Sequence, residues 1–154
     1  AFLRTLEKRG YITISDGKPA PTDKLTGKIR LLGSVQAGFP SPAEEELVDS
    51  LSLDEFLVER PEATFMLKVT GDSMIDAGIL DNDYVIIKKQ PVAQDGDIVV
   101  AMIDRVEATL KRFRRRSNSE VALIPENPDM EPMVYSADRV TIHGVLVGQM
   151  RNYR

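Results

Sequence analysis

The alternation of apolar and polar residues changes rhythm several times along the chain, and each change marks an element. In the first ten residues, AFLRTLEKRG, Phe2, Leu3 and Leu6 fall on one helical face and Gly10 follows as a stop. That spacing predicts the end of a helix. Residues 11–14 alternate as a short strand does, and Ser15-Asp16-Gly17-Lys18 reads as a turn. Residues 18–28 hold two prolines, three lysines and little apolar material, so 19–28 are predicted as a linker.

From Ile29 onward the rhythm is that of strands. Phe65, Leu67 and Val69 alternate with Met66, Lys68 and Thr70. Residues 84–88 and 97–103 are β-branched runs bounded by Asp-Asn-Asp and Asp-Gly turns. Residues 107–113 and 121–124 predict two strands joined around Ser117-Asn118-Ser119, and 140–150 predict a last strand in which Gly144 and Gly148 permit bends. Residues 47–58 are the one helical stretch in this half. Short strands, frequent turns and one small helix predict a mainly β fold, a compact antiparallel domain over residues 29–154. Residues 1–18 read as the tail of a separate domain.

Composition narrows the chemistry. Of 154 residues, 42% are hydrophobic and 29% charged, a globular balance rather than a disordered one. The net charge of −4 offers no overall attraction to nucleic acid. The absence of cysteine removes disulfides, thiolate zinc sites and cysteine nucleophiles together, and fits a reducing cytoplasm. The apolar run at 98–103 is too short to span a bilayer, and Arg4, Glu7, Lys8 and Arg9 interrupt any signal peptide, so no membrane contact is expected. The first residue is Ala1 rather than Met, which suggests a fragment or a processed product.

A histidine-based triad is disfavoured, because the only histidine, His143, lies in a strand-like run and reads as a partly buried or edge imidazole. Asp76, Asp81 and Asp83 fall in turn-like sequence without calcium-loop spacing, so no metal site and no cofactor is expected. Gly71-Asp72-Ser73-Met74 follows a strand at a glycine-assisted turn. Such a junction exposes a hydroxyl beside free backbone N–H groups, although a serine there also serves as a plain helix cap. Without a histidine, a neutral lysine is the alternative base, and Lys111 stands on an alternating strand with Leu110 on the opposite face. A free lysine amine titrates near about 10.4, so a base working near neutrality needs that value lowered by about three pH units, ~4 kcal/mol. Burial supplies this, whereas a solvated strand lysine does not acquire it.

The runs VTGDSMIDAGILDNDYVII, DGDIVVAM, EATLKRF, LIPENPDMEPMVY and VTIHGVLVGQMRN, in this order over residues 29–152, resemble the peptidase domain of LexA repressors. QAGFPSPAEEE is similar to the cleavage region of the related polymerase subunit UmuD, and FLRTLEKRGYITI to the end of the LexA winged helix-turn-helix. The resemblance implies a β fold of LexA/signal-peptidase type preceded by a remnant of the DNA-binding domain. It implies Ser73 as nucleophile, Lys111 as general base, Thr109 as support for the amine, and the amides of Asp72 and Ser73 as oxyanion donors. It makes Ala37-Gly38 the scissile pair and Val35 the apolar anchor of the cleavage loop. It also implies a bacterial cytoplasmic homodimer, a RecA–single-stranded DNA filament as activator, and operator DNA as partner of the intact protein. The two earlier helices of the DNA-binding domain are absent from this sequence, so specific operator binding by this chain alone is not expected.

Two functions then compete. One is a LexA-type repressor of the DNA-damage response, inactivated by self-cleavage; the other is a UmuD-like polymerase subunit activated by it. A signal-peptidase-like enzyme predicts a membrane anchor, and a pure binding module leaves the joint pattern of Ser73, Lys111 and Ala37-Gly38 unexplained. The basic run Arg112, Arg114, Arg115 and Arg116 reads either as a solvated hairpin tip or as a contact for the filament or for DNA phosphates. Residues 145–151 are predicted as an apolar edge strand through which the homodimer pairs.

Overall fold

The computed structural model describes residues 2–32, 34, 35, 37, 38 and 49–154. It divides into two units, one ending at Glu59 and the other spanning Arg60–Arg154.

In the first unit, α1 (Phe2–Lys8) is followed by the antiparallel hairpin of β1 (Ile12–Ser15) and β2 (Lys18–Pro21). The two-residue connection has both central residues at positive φ, Asp16 at 52° and Gly17 at 73°, the turn whose twist matches that of the strands. The stretch predicted as a linker therefore contains a strand, and after it a single helical turn, α2 (Asp23–Thr26). Register explains why prolines are tolerated there. Pro19 and Pro21 face Ile14 and Ile12, alternating with the pairs Ser15–Lys18 and Thr13–Ala20. In a two-residue hairpin the pair next to the turn exchanges the ladder bonds and the next pair does not, so the prolines fall where no N–H is required. Thr22 Oγ1 donates to Gly10 O at 2.6 Å and Lys24 Nζ to Arg9 O at 2.9 Å, which fastens the segment further. β3 (Lys28–Leu31) pairs with β4 (Asp49–Ser52), and α3 (Leu53–Leu57) follows. Of the helical stretch expected over 47–58, residues 49–52 are strand, because β3 offers them an edge to pair with, and residues 47 and 48 lie outside the described residues.

The second unit is an antiparallel sheet of β5 (Thr64–Lys68), β6 (Tyr84–Lys89), β7 (Ile98–Ile103), β8 (Glu107–Arg115), β9 (Glu120–Ile124), β10 (Met133–Ser136) and β11 (Val140–Met150). Their spatial order is β10-β9-β8-β7-β11-β6-β5. The unbroken apolar run of β7 has a structural reason: both its faces are buried. Val99, Ala101 and Ile103 join Phe113, Val121 and Leu123 in one core, while Val100 joins Met74, Ile79, Val85 and Ile87 in another.

β11 lies inside the sheet rather than at its end, so the stretch 145–151 predicted as an edge is one on a single side only. Its residues 140–145 pair with β7 and residues 144–150 pair with β6. At eleven residues it is longer than either six-residue neighbour, so it slides from one to the other through irregularities beside Gly144 and Gly148. Only residues 146–150 lack β7 on one side. Among the described residues no helix is long and apolar enough to cross a membrane.

Candidate active site

After β5 the chain loops out and returns to β6. Val69 N–H donates to Asp83 O at 2.7 Å and Asn82 N–H to Val69 O at 2.9 Å, closing the neck of the loop. Gly71, at φ 95°, makes the turn and donates its N–H to Asp81 Oδ1 at 2.7 Å. Met74 and Ile79 plunge into the core and anchor the segment, which leaves Ser73 half-buried between them and the turn.

Lys111 comes from β8, opposite Val99 of β7. Thr109 and Lys111 are two residues apart on one strand and so share a face. Lys111 is only 9% exposed. Its Nζ lies 3.0 Å from Ser73 Oγ and donates to Thr109 Oγ1 at 2.7 Å and to Leu110 O at 3.1 Å. Among the described residues no carboxylate pairs with it. Desolvation by burial holds its amine below the ordinary lysine value. An amine short of water and of countercharge favours its neutral form, and a neutral amine at this distance is able to accept a hydroxyl proton. The N–H groups of Asp72 and Ser73 are engaged by no other described residue. Leu67, Val69, Ala108 and Thr109 wall a cleft beside Ser73 and Lys111.

The structure thus brings together Ser73, Lys111, Thr109 and the Asp72–Ser73 peptide. Val35, Ala37 and Gly38 belong to the first unit and are exposed. Residues 39–46, most of the segment similar to UmuD, lie outside the described residues.

The family model described as Peptidase S24-like matches residues 30–147. The chain belongs to the Peptidase S24-like family of LexA repressors. It is 43% identical to the LexA repressor of Desulfitobacterium hafniense (strain Y51), over 97% of this chain and 76% of that protein. Identity is 44% to the LexA repressor of Caldicellulosiruptor saccharolyticus and 40% to that of Bacillus subtilis (strain 168), in both cases over 97% of this chain and 76% of the relative. As a member of this family the chain carries a peptidase domain of the LexA/UmuD type, and its relatives make it a LexA-type repressor.

Several residues of the site escaped sequence reasoning. Glu126 N–H donates to Ser73 O and Asp76 N–H to Glu126 O, both at 2.8 Å, and Asn127 Nδ2 donates to Asp72 O at 3.0 Å. The Glu126 carboxylate is ion-paired with Arg112, whose guanidinium also donates to Gly96 O at 2.5 Å. Arg112 therefore does not belong to the exposed basic run, which begins at Arg114. On the far side of the loop, Arg151 grips the buried Asp83 with two hydrogen bonds, at 2.6 and 2.7 Å, and donates to Gly78 O at 3.0 Å. The Arg151 guanidinium, helped by Leu80 N–H, lowers the Asp83 carboxyl from 3.8 to about 2. The prolines flanking Glu126-Asn127 announce a turn in the sequence, but nothing local announces its partner.

Proposed function

We propose that this chain is a LexA-type repressor of the DNA-damage (SOS) response that inactivates itself by cutting its Ala37-Gly38 bond with a serine–lysine dyad. The observation that carries the reading is the buried Lys111 amine, unpaired by any described carboxylate, 3.0 Å from Ser73 Oγ. Lys111 takes the Ser73 hydroxyl proton and Oγ attacks the Ala37 carbonyl carbon. The N–H groups of Asp72 and Ser73 hold the oxyanion, with Thr109 holding the amine in line. Collapse breaks the C–N bond, and the Lys111 ammonium returns its proton to the Gly38 nitrogen as that amine leaves. A water then gives a proton to Lys111 and attacks the acyl-serine, which releases the Ala37 carboxylate and restores Ser73. Val35 anchors the substrate segment. Because substrate and base share one chain, tethering replaces tight substrate binding.

The partners in this reading are those the resemblance to LexA repressors implies: a homodimer, operator DNA for the intact repressor, and a RecA–single-stranded DNA filament that accelerates the cut, in a bacterial cytoplasm. Residues 146–150 of β11, open on their β7 side, are the surface best suited to a second copy. Light scattering at tens of micromolar should then give twice the chain mass.

The deciding experiment for the dyad is mass spectrometry after mild alkaline incubation. It should yield fragments 1–37 and 38–154 from the parent chain and neither from Ser73→Ala or Lys111→Ala. A cut at another bond, or an unslowed variant, rules out the assignment.

A further inference from the structure

We propose that Asn127 is a positioning residue for the oxyanion donors: by holding the Asp72 carbonyl it aims the Ser73 N–H at the carbonyl under attack. The inference rests on the Ser73–Lys111 reading above. Its geometric basis is separate from that dyad, because the Asn127 side chain hydrogen-bonds to Asp72 and Asp129 rather than to the nucleophile's hydroxyl or the base.

Asn127 is buried, and its two side-chain ends have different partners. Oδ1 accepts the Asp129 N–H at 2.9 Å, closing a turn two residues ahead. Nδ2 donates to Asp72 O at 3.0 Å, across 55 positions of sequence. The polarity of both contacts is unambiguous, since one partner is an N–H and the other a carbonyl oxygen. In a trans peptide the C=O and the following N–H point in opposite directions. Fastening Asp72 O on the Asn127 side therefore turns the Ser73 N–H to the opposite side, where no described residue engages it.

The neighbouring peptide is held by the same segment, through Glu126 N–H on Ser73 O at 2.8 Å. Two successive carbonyls of the nucleophile turn are thus tied to residues 126 and 127. Gly71, at φ 95°, leaves the entry to that turn permissive, although its N–H is tied to Asp81 Oδ1. Within the turn Asp72 O accepts only a long bond from Ile75 N–H at 3.4 Å, so the 3.0 Å bond from Asn127 is the closer restraint on that peptide. An oxyanion donor is effective only if its direction is set before the charge develops.

The two functions of the Asn127 amide can be separated by substitution. Aspartate serves the Asx turn as well as asparagine does, but it sets a carboxylate against the Asp72 carbonyl. Serine keeps a neutral turn acceptor but is too short to reach Asp72 O. Alanine removes both contacts. Self-cleavage of the full chain is followed against pH for the parent, Asn127→Asp, Asn127→Ser and Asn127→Ala, with Ser73→Ala as the blank and thermal melts of each.

All three variants should lower the high-pH plateau rate by about 10- to 100-fold, with Asp at least as slow as Ala. The pH of half-maximal rate should stay at the parent value in Asn127→Ser and Asn127→Ala, which add no charge near Lys111, and should rise if it moves at all in Asn127→Asp, whose carboxylate is a countercharge for the ammonium. If Asn127 acted only through its turn, Asn127→Asp would keep the parental plateau while Asn127→Ala lost it, and that outcome overturns the proposal. Plateaus within twofold of the parent, or a half-maximal pH that moves upward with the plateau preserved, overturn it as well. If Asn127→Asp does not melt cooperatively, Asn127→Ser alone decides by the same criteria. A parent that never cuts, or a Ser73→Ala chain that does, instead removes the dyad and this inference with it.

Discussion

Lys111 is held where an ammonium is costly, and the consequence can be read in both rate and stability. Its pKa is lowered by burial. The neutral amine is the active form, so the self-cleavage rate should climb with pH and level off below about 10.4, the value of a free lysine. A bell centred near about pH 7 would point to a histidine and exclude Lys111. The stability sign is opposite to that of an ion-paired lysine. The folded state disfavours the proton and the unfolded state does not, so stability rises with pH between the lowered folded value and about 10.4. Lys111→Met keeps the volume and removes the cost. It should raise Tm by about 2–4 °C at neutral pH, with the gain fading above about pH 10. A scan of Tm against pH for both chains checks this.

At the scale of the element, β11 depends on one glycine. Gly144 faces Val100 on β7 and Lys89 on β6, at the place where the strand exchanges one partner for the other. A Cβ there would lie 2.5 Å from the Lys88 carbonyl oxygen and 2.5 Å from Ile87 Cγ2. Ile87 is fully buried and its Cγ2 is a branch methyl with little rotational freedom, and the backbone oxygen moves only if the ladder opens. Gly144→Ala should therefore cost ~1–3 kcal/mol, the range for overpacking a tight interior. Urea unfolding should show a lower midpoint with an unchanged slope; an unchanged midpoint would mean that β11 and β6 can separate without penalty.

Across the whole second unit, the chain end and the nucleophile loop are one construction. Arg151, just beyond β11, fixes Asp83 and Gly78 at the base of the loop that carries Ser73. The Asp83 carboxyl is lowered from 3.8 to about 2, chiefly by Arg151. A carboxyl lowered by folding contributes stability above its unfolded value, and loses it as pH falls through the folded one. Thermal stability should accordingly fall as the pH drops from about 4 to about 2. Arg151→Met should lower Tm at neutral pH and flatten that acid decline. An Arg151→Met chain with the parental acid profile would show that other carboxyls govern it.

The sequence by itself determined those features that act over a few residues. Side-chain alternation and turn residues placed β6, β7, β8, β9 and β11 within a residue or two of where they lie, since a strand's pattern repeats every second position and Gly or Asp breaks it. The order of family motifs singled out Ser73 and Lys111, but their 3.0 Å approach spans 38 positions and exists only once the sheet has closed. Composition misread residues 19–28, because whether a proline suits a strand depends on which positions of the hairpin need an N–H, and register decides that. Apolar content marked 145–151 as an edge but not that β6 would cover one side of it and leave only the β7 side of 146–150 open, because the place of a strand within a sheet is set by the strands that arrive on either side. Asn127 and Arg151 stayed silent for the same reason. Their partners, Asp72 and Asp83, are 55 and 68 positions away, and only tertiary packing brings a donor and an acceptor so distant in sequence within hydrogen-bonding range.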